Sequence, residues 1–136
     1  MDTGNYDYIF HHPNFYVCFY GDDILFNVTE KYDTSAAVGD VTTVQWDDSS
    51  RVGQWNHVGL VRDVPNAKVI LYANGVKIQE VADGTLDSLA TRTGNSDADI
   101  VFHTDNEPGW QFNHFAVFKE ALSTADMERV RQTLPI

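Results

Sequence analysis

Aromatic and β-branched residues recur along this chain in short runs, separated at close intervals by turn-forming residues. The runs are NFYVCFYG (14–21), DILFNVTE (23–30), DVTTVQW (40–46), HVGLVRD (57–63), AKVILYA (67–73), VKIQEVA (76–82), ADIVFHT (98–104) and QFNHFAVF (111–118). Side chains on a strand alternate between its two faces, and runs of this length and composition predict strands. The punctuation agrees. Gly21-Asp22-Asp23 divides the first two runs, and Val64-Pro65-Asn66 and Asn74-Gly75 bracket AKVILYA. Asn-Gly supplies both positive-φ positions of a type I′ turn, the strongest short hairpin signal a sequence offers.

One segment breaks the pattern. In ALSTADMERVRQTLPI (121–136), Met127, Val130 and Leu134 fall at helical spacing. Ser123 stands as an N-cap with Asp126 at N3, Leu122 and Met127 are spaced as a hydrophobic staple, and Pro135 supplies the stop. The spacing predicts a helix over 123–134, docked through Met127, Val130 and Leu134. Many short strands followed by a single helix argue an all-β chain: an antiparallel jelly-roll β-sandwich with one short C-terminal helix. No repeat or linker-like tract interrupts residues 1–136, so one domain is expected.

Composition narrows the function. The chain has 136 residues, 43% of them hydrophobic, which is ample for one core. Its 20 acidic and 9 basic side chains give a net charge of -11. That field repels phosphate backbones and removes nucleic acid as a partner. Cys18 is the only cysteine, so no intrachain disulfide and no Cys-based zinc site is available. It lies within an apolar run and is expected to be a buried, inert thiol. The N-terminal residues have no signal-peptide pattern, and no run approaches the ~20 apolar residues of a membrane span.

Trp55-Asn56-His57-Val58, followed by a hydrophobic strand and LYANG (71–75), resembles the motif of laminin-G-like domains in the concanavalin A-like lectin/glucanase superfamily. FNHFAVFKEALSTADM (112–127) resembles that family's closing strand and the short helical turn after it. Together the two motifs span roughly residues 8 to 134. The resemblance implies a sandwich in which Trp55 plugs one end of the core and His57 is structural. Two departures matter. Trp110-Gln111-Phe112-Asn113-His114 stands where the family usually has Gly-x-Ile-Asp-Glu. The first family-like strand already begins near residue 16, so one or two opening strands are expected to be missing.

Glucan hydrolases of the superfamily carry Glu-x-Asp-x-x-Glu, which sets two carboxyl groups about 5 Å apart for retaining chemistry. Glu30, Glu80, Glu107, Glu120 and Glu128 do not form that pattern, and no nucleophile elbow, phosphate loop or zinc-protease motif occurs. The chain is therefore expected not to be an enzyme. His11-His12 could meet a transition metal, but adjacent side chains on an extended chain point apart. Calcium is the best cofactor candidate, on Asp97, Asp99 and Asp105 with Asn95 and Asn106; Asp22-Asp23 and Asp47-Asp48 are alternatives. Trp110 and Trp46 border loops and are the candidate glycan platforms, against a core or interface role for either.

These features point to a non-enzymatic structural or adhesive module of a larger assembly, virion or extracellular, without a signal peptide. The resemblance permits a bacteriophage capsid-decoration, fibre or tail protein; the alternative is a free-standing lectin-like carbohydrate-binding domain. Partners would be other protein subunits, its own copies or virion proteins, or glycans. If opening strands are missing, a sheet edge is left open, and exposed edges invite pairing. Tyr6, Tyr8 and Phe10 are the residues expected at an intersubunit contact; otherwise the N-terminal segment folds back and closes its own sheet.

Overall fold

The computed structural model describes residues 7–12, 15–21, 23–29, 41–47, 53–84, 101–102, 113–118 and 120–134. These form β1 (Asp7–His12), β2 (Phe15–Tyr20), β3 (Asp23–Thr29), β4 (Val41–Trp46), β5 (Val58–Asp63), β6 (Lys68–Ala73), β7 (Val76–Ala82), β8 (Val101–Phe102) and α1 (Thr124–Thr133). One sheet has the order β4-β3-β2-β1-β8 and the other β5-β6-β7. Every pairing is antiparallel. Consecutive strands are neighbours in each sheet, and β8 returns to lie beside β1. The predicted all-β sandwich with a short C-terminal helix is the fold observed.

β6 explains the layering. Its side chains are buried on both faces. Val69, Leu71 and Ala73 join Val17, Ile24, Phe26, Val28, Val44 and Trp46 of the five-stranded sheet in one core. Ile70 and Tyr72, in the opposite phase, join Val61 of β5 and Met127 of α1 in a second. A strand sandwiched between a helix and a sheet needs apolar side chains at every position, and this is why KVILYA does not alternate. Fully burying one Val or Leu of this kind is worth about 1.5–3 kcal/mol. The Asn-Gly tip behaves as its sequence requires: Asn74 has φ 51° and Gly75 φ 83°, both left-handed.

The helix is capped as predicted. The Asp126 N–H donates to Ser123 Oγ at 3.2 Å, and Ser123 Oγ–H donates to the Asp126 carboxylate at 2.6 Å. Its docking face is different from the one predicted. Met127 is buried and Leu122 packs beside it, but Val130 and Leu134 are only half-buried. The thioether of Met127 sits over Gly59, where any Cβ would collide with it. Glu128 and Arg131 lie over Gly75 in the same way, and Tyr72 Oη is 3.1 Å from Thr124 Oγ1. The face toward the sheet is therefore Thr124, Met127, Glu128 and Arg131, a helical stripe whose centre is rotated from the apolar one. In this azimuth Met127 seats over Gly59 and the Glu128–Arg131 pair over Gly75, an orientation that the apolar spacing alone does not select.

Two further expectations are corrected. Residues 113–118, read from the sequence as part of a closing strand, form no strand. Residues 1–12 are expected from the sequence to be ordered mainly by another chain; of these, residues 7–12 form β1, which pairs with β2 along its length and with β8 at Phe10↔Phe102 and His11↔Val101. The described part of the segment folds back onto its own sheet. A register shift between Tyr8 and Phe10 marks a bulge, which lets the adjacent Ile9 and Phe10 both be buried.

Candidate functional site

The residues of the Trp-Asn-His-Val and Leu-Tyr-Ala-Asn-Gly motifs meet at the β6–β7 turn. The His57 N–H donates to Asn74 Oδ1 at 2.9 Å, and the Asn74 N–H donates to the His57 carbonyl at 2.8 Å. Asn74 Nδ2 donates to Asn56 Oδ1 at 3.0 Å. One asparagine thus occupies the left-handed turn position and ties the entrance of β5 to the hairpin. His57 takes part in this arrangement through its main chain, not through its ring. Burial, then the nearby Arg131 guanidinium, holds its pKa below the ordinary histidine value, with Glu128 opposing. Its Nδ1 is buried and makes no hydrogen bond. Trp55 corrects the sequence reading: it is 53% exposed and does not plug the core.

The predicted site residues are dispersed. Trp46 is 5% exposed, in phase with Val44 on the inward face of β4, so its ring offers no platform to a sugar. Trp110 and Tyr6 lie outside the described residues, as do Asp97, Asp99, Asp105, Asn95, Asn106, Asp22 and Asp48. Asp23 accepts from Gln45 Nε2 at 2.6 Å, and Asp47 is exposed. Among the described residues, no group of three or more His, Cys, Asp or Glu side chains could hold a metal ion. Phe10 belongs to the core, against Phe15, Phe102 and Phe115 at ring distances of 6.1, 5.7 and 5.4 Å. It is therefore not available for contact with another subunit. Tyr8 is half-buried, edge-on to Tyr16 at 5.6 Å. Cys18 is buried, as its apolar run requires.

Two of the five glutamates, Glu80 and Glu128, sit apart in ion pairs; Glu30 and Glu107 lie outside the described residues. Glu80 on β7 accepts from Lys68 Nζ at 2.5 Å and Lys77 Nζ at 2.9 Å, and these bonds hold its pKa down at about 2. Glu128 on α1 receives Arg131 at 2.7 and 2.5 Å, which lowers its pKa as well. Glu80 is neutralised by two lysines and Glu128 by one arginine. The histidines diverge: His12 stacks on Phe15 at 4.9 Å, and His11 meets Tyr8 edge-on at 6.4 Å.

What the structure does bring together is apolar. Phe102 on β8 and Phe115 lie edge to face at 5.0 Å, with Phe10 beneath them. Phe102, Phe115, Val117 and Phe118 are nevertheless 39, 44, 66 and 50% exposed. This strip borders the β8 edge of the five-stranded sheet, where the described pairs are Phe10↔Phe102 and His11↔Val101. The opposite edge is closed: the Gln45 N–H of β4 donates to Gln79 Oε1 of β7 at 2.7 Å, and the Gly84 N–H donates to Thr42 Oγ1 at 3.0 Å. Sequence reasoning placed the open edge on the aromatics of β1. The better signal was the charge-free run NHFAVF itself.

No family model and no curated protein matches the chain. Among solved structures, the crystal structure of residues 221–444 of an S-layer domain-containing protein from Clostridium thermocellum is similar over 96% of this chain, at 19% identity and a TM-score of 0.38. This chain spans 64% of that structure. Similarity of that degree assigns neither a family nor a function.

Proposed function

We propose that this chain is a non-enzymatic structural or adhesive module that joins other protein subunits in a larger extracellular assembly, as a bacteriophage capsid-decoration, fibre or tail protein does. The observation that carries this reading is the exposed strip of Phe102, Phe115, Val117 and Phe118 beside a short edge strand. Contiguous exposed apolar surface and incompletely paired edges are what assembly interfaces use. The net charge of -11 keeps a protein with such a strip soluble until its partner is met. Fractionation of the source culture tests the reading. The chain should sediment with a large extracellular particle in stoichiometric amount, and recovery only as free low-mass protein overturns it.

A lectin-like reading is favoured by a different observation, the exposed indole of Trp55 at the entrance of β5. Stacking on an exposed aromatic face is how proteins grip the apolar side of a sugar ring. Titration with oligosaccharides should then quench tryptophan fluorescence in wild type and not in Trp55→Ala. The buried Trp46 would be insensitive in both. No change in wild-type emission with any glycan removes this second reading.

A further inference from the structure

We propose that Asn74-Gly75, at the tip of the β6–β7 hairpin, is a modification site: a succinimide- and isoaspartate-forming pair that the folded chain holds closed through Asn56 and His57, and whose conversion loosens that joint. The chemistry belongs to the dipeptide. The main-chain nitrogen that follows an asparagine can attack its side-chain carbonyl carbon, and a glycine there has no Cβ to obstruct the approach. Asn74-Gly75 is the only Asn-Gly pair in the chain. As the bond from Gly75 N to Asn74 Cγ forms, the Cγ–Nδ2 bond breaks, and the amide nitrogen takes up the Gly75 N–H proton and leaves as ammonia. Water then opens the five-membered ring at either carbonyl. One opening gives aspartate at 74; the other gives isoaspartate, in which the main chain runs through Cγ and carries one more carbon. The only co-reactant is water, and Asn74 is exposed to it.

The fold supplies the restraint. Ring closure needs the amide carbon aligned on the attacking nitrogen, and it turns that planar carbon tetrahedral. Both ends of the Asn74 amide are tied instead to the entrance of β5: Oδ1 accepts from the His57 N–H at 2.9 Å, and Nδ2 donates to Asn56 Oδ1 at 3.0 Å. Asn56 is itself oriented, because its Nδ2 donates to the Gln54 carbonyl at 3.0 Å. The Asn74 N–H is held by the His57 carbonyl at 2.8 Å, so main chain and side chain are fixed together. Nδ2 cannot depart without giving up its bond to Asn56. The products fit the joint badly. Glu128 and Arg131 of α1 lie where a Cβ on Gly75 would be, so a turn lengthened by one carbon has no room to expand on that side. Aspartate at 74 would keep the acceptor for the His57 N–H but set a carboxylate oxygen against Asn56 Oδ1, where a donor now stands.

Peptide mapping by mass spectrometry, with an isoaspartyl methyltransferase assay, follows the reaction in the full chain at mildly alkaline pH. Unfolded in guanidinium chloride, wild type should convert at residue 74 ahead of every other asparagine. Folded wild type should convert there about tenfold more slowly or less, since two side-chain hydrogen bonds hold the amide. Asn56→Ala, folded by circular dichroism, should convert about two- to tenfold faster than folded wild type through the loss of one of them. If that variant does not fold, the comparison of folded with unfolded wild type decides alone. Asn74→Asp, with the product side chain already in place, should melt below wild type. Equal rates in folded and unfolded wild type overturn the proposal, as does a folded Asn56→Ala no faster than wild type. Conversion that favours another asparagine in the unfolded chain, or an Asn74→Asp melt that matches wild type, overturns it too.

Discussion

Replacing Asp83 by alanine strips the Arg62 guanidinium of a partner at the seam between the two sheets. Asp83 directly follows β7, its side chain is 0% exposed, and Arg62 Nε on β5 donates to it at 2.6 Å. Thr42 Oγ1 on β4 approaches the other carboxylate oxygen at 3.5 Å, a weak bond, and itself accepts from the Gly84 N–H at 3.0 Å. A cation from β5, a carboxylate after β7 and a hydroxyl from β4 therefore tie the three-stranded sheet to the edge of the five-stranded one. Removing one member of a buried ion pair typically costs about 3–5 kcal/mol, because the other charge is left uncompensated. Arg62 retains 21% exposure, so water can partly rehydrate it, and the loss should lie near the low end, about 3 kcal/mol.

Equilibrium urea unfolding would read this loss as a lower midpoint at an unchanged slope. The double variant Arg62→Met with Asp83→Ala should be more stable than Asp83→Ala alone, since it leaves no buried charge without a partner. The reasoning is refuted if Asp83→Ala costs less than about 1 kcal/mol, the level of an exposed pair. It is refuted equally if the double variant is the less stable of the two.

Two other outcomes follow from the docking of α1 and from the charges on β7. Met127→Ala should cost about 2–5 kcal/mol by opening a cavity over Gly59, whereas Val130→Ala should stay within about 1 kcal/mol; equal losses in thermal melts would mean the helix presents a different face. Glu80 is held at about 2 in the folded protein by Lys68 and Lys77, below its ordinary 4.5, so its contribution is present above that ordinary value and is lost as pH falls from there toward 2. Unfolding midpoints of Glu80→Gln measured across that window should decline less steeply than wild type, and parallel curves would remove the claim.

The sequence made the local features legible and left the long-range ones open. Asn74-Gly75 and Ser123 announce themselves because a turn and a cap are settled by the residues that form them. The position of Trp46 was also readable in principle: Thr42, Val44 and Trp46 share one phase of β4, and all three are buried. Val130 was not. Helical spacing defines an apolar stripe but not which azimuth a neighbour will accept, and here Met127 seats over Gly59 and Glu128 over Gly75, on two other elements. Phe10 misled for a related reason. Strict alternation would place Ile9 and Phe10 on opposite faces, and only the bulge against β2 buries both.

The Trp-Asn-His-Val and Leu-Tyr-Ala-Asn-Gly segments show how local sequence can speak for a hairpin and stay silent on function. Asn56 and Asn74 through their side chains, and His57 through its main chain, hold the entrance of β5 against the β6–β7 turn. Any sandwich that needs this hairpin at this place could use the same two asparagines, whatever its surface does. The strip at Phe102, Phe115, Val117 and Phe118 lies instead at the β8 edge, away from that hairpin. Exposed apolar side chains at a sheet edge are not needed to hold the hairpin, so what the surface does has to be argued from the strip and not from the turn.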